Sequence, residues 1–490
     1  MGLRREIMKF NIMITSGKVV VMLIGFFFSI LLTRLLQPYY FGLFSFCLVI
    51  VGFSAFIDFG LSSTLIRFVA YYSAKRKYRE VKTITWLIFK YKFIITLLSG
   101  LLVLIFSQQI ATFIFNKPEV GTIVFFSGFI LILQSIFLFF NSLFSGLKDF
   151  KTATIMLILE KIFIFIFVIS LIVLGLNIIG ALSGLILTYL LLIPVSIFIL
   201  YRKHKFIIKE PSIEINKKSL FSFSFWVGMG VMATIVFGLT DQIMISMFMS
   251  IEDIGFYRIG LTWMMMIASF LPITIDVLYP YFSGASGITQ LNKMFFDSLR
   301  YISMIIFPLA FLLSAFSEPI ITIFYTGTFS PAIPVLRILA LVAIPLIIAT
   351  NLKGYFIAMD KPDIRAKVTL FVLFINILLM YTFIRLWGIV GAAMGLLISY
   401  SLEFLIFLLI AIFIKGAIFK YSTIFKPFLA SIVIYFIARL FIINNLFDLI
   451  LYGIICLALY IVVMFAIRGV DSQDISYIKR EIFLILHKLK

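Results

Sequence analysis

Residues 154–200 read TIMLILEKIFIFIFVISLIVLGLNIIGALSGLILTYLLLIPVSIFIL. Two apolar runs, 154–175 and 179–200, flank a short break, and Glu160 and Lys161 are the only charges in the stretch. A bilayer's hydrocarbon core is ~30 Å thick and needs about 20 apolar helical residues at ~1.5 Å rise each. Each run is therefore read as one crossing, and the break turns the chain back. Runs of this kind recur along the chain, at about 14–36, 41–66, 83–106, 121–143, 301–323, 335–358, 367–386, 389–414, 427–443 and 446–468, with two more at 221–246 and 255–280. With 63% hydrophobic residues and a mean hydropathy of +1.19, a water-soluble globule is excluded. The fold class expected is all-α integral membrane, with about fourteen transmembrane helices.

Lys and Arg outnumber Asp and Glu by 41 to 21, a net charge of +20. Such an excess can mark a nucleic-acid binder, but its placement points elsewhere. The basic residues fall in alternate loops: Arg4, Arg5, Lys9 and Lys18; Lys75 to Lys82; Lys148 and Lys151; Arg202 to Lys218; Lys293 and Arg300; Lys361, Arg365 and Lys367; Lys415 to Lys426; and Arg468 to Lys490. Lys117 is an exception. This is the positive-inside pattern, and it sets both termini in the cytoplasm with no nucleic-acid partner expected. Cys47 and Cys456 lie in apolar runs, so no disulfide framework is expected. The first run is too long for a cleaved signal peptide and reads as the first span.

The chain also echoes itself at a period of roughly 210 residues. Gly180-Ala181-Leu182-Ser183-Gly184-Leu185 returns as Gly391-Ala392-Ala393-Met394-Gly395-Leu396. Pro38-Tyr39-Tyr40-Phe41-Gly42-Leu43-Phe44 returns more loosely as Ile251-Glu252-Asp253-Ile254-Gly255-Phe256-Tyr257, and Asn141 and Gly146 as Asn351 and Gly354. An even number of spans separates the copies, so both halves face the same way, as parallel repeats about an axis along the membrane normal. The expected divisions are an N-terminal six-helix lobe at 1–200, a basic inter-lobe linker at 201–220, a C-terminal six-helix lobe at 221–414, two extra helices at 427–468, and an amphipathic tail at 471–490. The tail and 290–300 are expected to lie on the inner membrane surface. Between Glu318 and Pro334 the helix-breakers Pro319, Gly327, Pro331 and Pro334 predict a short broken segment on the outer side.

Constellations for hydrolysis or redox chemistry are missing. The two histidines, His204 and His487, are far apart, no metal site is expected, and there is no Walker loop. A membrane glycan polymerase or ligase would need a large outer loop carrying catalytic groups, and no outer loop is long or polar enough. The chain reads as no enzyme. Gly228-Met229-Gly230 lies inside a span and is read as permitting close helix packing or a bend, and the Gly-x-x-x-Gly pairs as close-packing elements.

Charges at membrane depth are the informative residues, because each costs several kcal/mol unless it meets a partner or a cavity. They are Asp58, Lys90, Lys92, Glu160, Lys161, Asp241, Arg258, Asp276, Lys353, Glu403 and Arg439, with Arg34 closing the first span. Lys161, Lys353, Asp276 and Arg67 sit near inner ends, where snorkelling is a sufficient explanation. Lys90 and Lys92 point to nearly opposite helix faces, so at most one lines a shared cavity. Asp241 and Arg258 either pair with each other or one contacts substrate. Asp58 and Glu403 are deeper, have no adjacent base, and are the stronger candidates, with Asp241, for coupling to H⁺ or Na⁺.

Thr33-Arg34-Leu35-Leu36-Gln37-Pro38 with Gly42-Leu43-Phe44, and Asp58-Phe59-Gly60-Leu61 with Leu65-Ile66-Arg67-Phe68, resemble signatures of prokaryotic polysaccharide-export flippases. Asp241-Gln242-Ile243-Met244-Ile245 and Ser250 to Tyr257 resemble the same family's second lobe, and Gln37 stands where that family often has Gly. The resemblance covers essentially the whole chain. It implies membership of the multidrug/oligosaccharidyl-lipid/polysaccharide exporter superfamily, with two six-helix lobes rocking about a central cavity by alternating access. It also implies a polyprenyl-diphosphate-linked oligosaccharide as substrate, moved from the cytoplasmic to the outer leaflet of a prokaryotic cell membrane. A multidrug extrusion antiporter and a lipid II-type flippase are the alternatives within the superfamily. Inward-facing bases can neutralise a diphosphate, and Arg34, Lys90, Arg258 and Lys353 are the expected headgroup contacts. No cofactor is expected beyond an H⁺ or Na⁺ gradient. Membrane lipids and other glycan-assembly membrane proteins are the remaining partners of an expected monomer.

Overall fold

The computed structural model describes residues 2–211, 213–214, 217–270, 288–359, 361–415 and 422–469, and among them every regular element is helical. Hydrocarbon offers no partner for backbone N–H and C=O groups, so a spanning segment satisfies them within its own helix. Eight helical stretches of the described residues are long and apolar enough to cross a bilayer. Three of these, Ser16–Asp58, Phe150–Lys203 and Asp363–Phe413, run for 43, 54 and 51 residues, about twice what one crossing needs. Each is divided by a backbone break. Asp276 and the amphipathic tail lie outside the described residues.

The chain forms two compact units: residues 1–262 with 366–399, and 263–365 with 400–490. In the first unit α1 (Gly2–Gly52) turns at Gln37, whose φ of 59° and ψ of 171° immediately precede Pro38. The proline supplies no N–H and disfavours helical backbone in the residue before it, so the ladder breaks there. A short α2 (Ser54–Asp58) is separated from α3 (Leu61–Ala74) by Phe59 and Gly60, both left-handed. The span expected to run unbroken over 41–66 is therefore interrupted. The helices α4 (Tyr78–Ile105), α5 (Gly121–Gly146), α6 (Phe150–Leu171) and α7 (Asn177–Lys203) pack around these. A π-helical turn at Ile172–Leu176 ends α6, and left-handed Gly175 and Asn177 reverse the chain into α7.

Gly184 and Gly391 sit at close approaches between helices. A Cβ on Gly184 would stand 2.7 Å from the Val168 nitrogen, and one on Gly391 would stand 1.9 Å from the Phe383 oxygen. Missing side chains thus let the two arms of each helical hairpin touch. Gly42 and Gly255, the echoing positions of the first-loop motif, meet each other: a Cβ on Gly42 would lie 2.1 Å from the Ile251 oxygen, and one on Gly255 3.2 Å from the Gly42 nitrogen.

Residues following α7 do not hang free. In the short α8 (Phe206–Lys209), the Ile207 carbonyl accepts a hydrogen bond from the Trp86 indole at 3.2 Å, and Phe206 packs on Tyr78 at 4.6 Å between ring centres. Further on, the Ile213 N–H donates to Thr83 Oγ1 at 3.0 Å. At the start of α6, Asp149 caps the helix by accepting from the Thr152 N–H and hydroxyl, and Lys203 and His204 close on the same carboxylate at 3.1 and 3.5 Å. Burial pulls the Asp149 pKa up, but the bonds from Thr152 and Lys203 outweigh it and hold the carboxyl below its usual range. Burial pushes the His204 imidazole down, with Asp149 opposing only in part.

The first unit also contains α9 (Lys217–Phe248) and most of α10 (Ile251–Phe270). The second unit is built from α11 (Ile288–Ala315), α12 (Ser317–Phe324), α13 (Ala332–Ala358), the later part of α14 (Pro362–Lys415), α15 (Ser422–Ala438) and α16 (Leu446–Ala466). Between α12 and α13, a single 3₁₀ turn at Gly327–Phe329 fills the stretch where prolines and glycine predicted a broken segment. Arg300 and Lys426 donate to the Gly469 and Arg468 carbonyls, placing cations at the C-terminal end of α16, where the helix dipole favours them.

Candidate functional site

The membrane-depth charges assemble into separate polar clusters. The first forms at the α2–α3 break. Asp58 ends α2 and folds back on α3, accepting from the Ser62 N–H at 3.1 Å and the Ser62 hydroxyl at 2.7 Å. Lys92 of α4, only 5% exposed, donates to Asp58 and, at 2.8 Å, to Ser62. The sequence predicts no base beside Asp58, and the structure places Lys92 there. Its base stands 34 residues away in sequence and arrives by helix packing. The break itself is held by close backbone approach: the Ser224 hydroxyl donates to the Phe59 carbonyl at 3.1 Å, and a Cβ on Gly228 would lie 2.7 Å from that oxygen. Gly228 thus packs as its place inside a span predicted.

A hydrogen-bonded chain forms the second cluster. Tyr189 donates to Glu160 at 2.8 Å, Gln134 donates to the Tyr189 oxygen at 3.0 Å, and Ser54 reaches Gln134 at 3.5 Å. Glu160 is 4% exposed, and Lys161 stands 3.5 Å away.

The third cluster involves Asp241 and Arg258, which do not bond to one another. The Tyr257 hydroxyl donates to buried Asp241 at 2.8 Å, while Arg258 donates to Gln242 at 2.9 Å. Arg258, Gln242, Tyr257 and Ser45 line one small cleft. Nearby, Lys117 explains its presence among loops otherwise nearly free of Lys and Arg: buried, it donates to the Ser246 carbonyl at 2.6 Å near the C-terminal end of α9.

In the second unit Lys353 and Glu403 form a buried ion pair at 2.8 Å, Glu403 being fully buried. The expectation that Glu403 has no adjacent base is therefore also corrected. Arg365 interacts electrostatically with both members of the pair.

Among the expected headgroup contacts, Arg258 and Lys353 are thus held within polar clusters, whereas Arg34 and Lys90 lie on exposed helix faces. Arg67 is exposed and stacks over Phe223 at 4.0 Å, and Arg439 is exposed near Tyr435. Sequence reasoning chose Lys90 over Lys92 and did not find Tyr189, Gln134 or Tyr257. A usable signal existed for Lys92. It shares the helical stripe Thr85, Ile88, Thr96 and Gly100, all buried, and Lys90 falls off that stripe.

An uncharacterised membrane protein of Methanocaldococcus jannaschii is 23% identical over 457 residues, spanning 86% of this chain and 87% of that protein. A probable low-salt glycan biosynthesis flippase of Haloferax volcanii is 25% identical over 203 residues, 40% of this chain and 42% of that protein. Among solved structures, the lipid II flippase MurJ in an inward closed conformation shares the fold with a TM-score of 0.71 at 16% identity, covering 93% of this chain and 99% of that one. A transporter of the MOP superfamily from Pyrococcus furiosus, described as having a binding pocket of reverse polarity, gives 0.57 at 14% identity over 88% of this chain and 96% of that one. The family model described as polysaccharide biosynthesis protein matches residues 8–286, more than half of the sequence. With its helices and repeated motifs arranged as above, this multi-span membrane chain belongs to the polysaccharide biosynthesis protein family.

Proposed function

We propose that the chain is a flippase that carries a polyprenyl-diphosphate-linked oligosaccharide from the inner to the outer leaflet of a prokaryotic cell membrane by alternating access. Its family membership and the flippase relative from Haloferax volcanii support this reading. The observation that carries it physically is a set of basic side chains, Lys92, Arg258 and Lys353, retained inside apolar helices at hydrogen-bonding distance from polar partners. A diphosphate cannot cross hydrocarbon unaided, and inward-facing bases can take it up by charge-assisted hydrogen bonds. Arg34, Lys90, Arg258 and Lys353 are the proposed headgroup contacts, and Asp58, Glu403 and Asp241 the proposed route of coupling to H⁺ or Na⁺. Both termini face the cytoplasm in this scheme, which needs no cofactor. The likeness to MurJ favours a lipid II-type substrate as the second reading.

The test is reconstitution in liposomes with a fluorescent lipid-linked oligosaccharide on one leaflet, followed by its accessibility to a membrane-impermeant quencher. Transbilayer movement that requires the diphosphate, and that falls at least tenfold in Arg258→Gln while membrane insertion persists, supports the proposal. Equal movement of the diphosphate lipid in liposomes without protein, or an unimpaired Arg258→Gln/Lys90→Gln double variant, rejects it. Lipid II moved in preference to other lipid-linked glycans selects the second reading.

A further inference from the structure

Arg439, a charge the sequence places at membrane depth, and Glu318, at the start of the broken segment, take no part in the polar clusters above. Both line a cleft in the second unit, between the α11–α12 junction and the turn that follows α15. The cleft has a volume of about 290 Å³, near the lower end of what small-molecule sites enclose. Glu318 and Thr322 come from the α12 side and Arg439 from the α15 side, with Phe316 and Phe441 as apolar lining. Phe441 is braced by stacking on Tyr452, 4.4 Å between ring centres. Among the described residues neither Glu318 nor Arg439 has an ion-pair partner within 4 Å, and Arg439 lies 5.8 Å from the centre of the Tyr435 ring.

The surroundings of the cleft set its depth. α11 is long and apolar enough to cross a bilayer and ends at Ala315, and α15 ends at Ala438, so the cleft lies where both helices leave the apolar layer. Leu440 and Ile442 beside it are 80 and 78% exposed, a surface suited to acyl chains rather than to water. A cation at that level reaches the phosphates of the lipid headgroups. An anion at the same level repels phosphate, and is matched only by a headgroup that also carries an amine. We infer that the cleft binds a zwitterionic phospholipid, with Arg439 holding the phosphate, Glu318 the amine, and the acyl chains lying on the exposed apolar side chains that adjoin it. A guanidinium is the base best shaped to take two phosphate oxygens at once. The site is separate from the flippase reading, and neither depends on the other.

The test uses the purified full chain, stripped of lipid in detergent, and reads binding by native mass spectrometry. The probes are phosphatidylethanolamine, phosphatidylglycerol, which keeps the phosphate but has no amine, and glycerophosphoethanolamine, which keeps the headgroup but has no acyl chains. The wild type is expected to prefer phosphatidylethanolamine to phosphatidylglycerol by about fivefold, the scale of one exposed charge contact. Glu318→Gln should erase that preference by weakening phosphatidylethanolamine alone, and Arg439→Gln should weaken both lipids by about fivefold. Both side chains are exposed, so both variants keep the fold. Equal binding of the two lipids by the wild type, a preference that survives Glu318→Gln, or affinity kept within twofold in Arg439→Gln overturns the site. Glycerophosphoethanolamine bound as tightly as the intact lipid overturns a lipid as its occupant.

Discussion

Removing Lys92 tests whether Asp58 acts as a paired residue at a helix break. Lys92 is 5% exposed and donates to Asp58 and Ser62, and Asp58 also caps α3 through two bonds from Ser62. Breaking a buried ion pair by deleting one partner costs ~3–5 kcal/mol, because the remaining charge stays buried. The Asp58 side chain is 18% exposed, which places Lys92→Met near the low end, about 3 kcal/mol. Asp58→Asn keeps an oxygen for the Ser62 cap but strands Lys92, and a similar loss is expected. Asp58→Ala also loses the cap, adding about 1 kcal/mol. In the double variant Asp58→Asn/Lys92→Met no charge is stranded, so the losses do not add, and a coupling of about 2 kcal/mol is expected. Reversible unfolding in mixed micelles, titrated with a denaturing detergent, reads these differences. Single losses that sum to the double within ~0.5 kcal/mol refute the pairing argument, since independent sites add to that tolerance.

Gln37 occupies backbone that glycine enters without penalty, with φ of 59° and ψ of 171°, so Gln37→Gly is expected to stabilise the chain by about 1–2 kcal/mol and raise its unfolding midpoint; an unchanged or lower midpoint contradicts the strain argument. Gly60→Ala should do the reverse, because φ is 75° and a Cβ would stand 2.8 Å from the Gly228 nitrogen and the Ser224 oxygen; a loss of about 2 kcal/mol or more is expected in the same assay. Stability should fall as pH is lowered. His204, pushed down by burial, contributes stability that is present above its unfolded value near pH ~6.5 and lost as pH drops through its folded value. Asp149, held down by Thr152 and Lys203, contributes stability present above pH ~4 and lost below its folded value. Thermal midpoints measured from pH 7 to pH 4 in the wild type and in His204→Asn check the first window: the variant should lose the step just below neutrality and keep the later one.

Membrane residence and the positions of most helices were legible in the chain, because each depends on local patterning. A run of about 20 apolar residues has one low-energy form in hydrocarbon, whatever its neighbours are. The glycines at 180, 184 and 391 could be assigned to close packing for the same reason: a missing side chain has the same consequence in any helix pair. The break at Phe59 and Gly60 was not legible, since it depends on Asp58 capping α3 and on Gly228 and Ser224 closing against the Phe59 carbonyl from a helix about 165 residues further on.

What tertiary structure alone decided is which charges meet. The sequence marked Asp58, Lys92, Lys353 and Glu403 as costly at their depth, yet it could assign no partner to any of them. Asp58 and Lys92 are 34 residues apart, and Lys353 and Glu403 lie on different helices. The cost of burying a charge is set by its own chemistry and its distance from water, and so it can be read from one segment. The compensation comes from whichever helix packs alongside, at a range of a few ångströms, and that neighbour exists only once the bundle has formed.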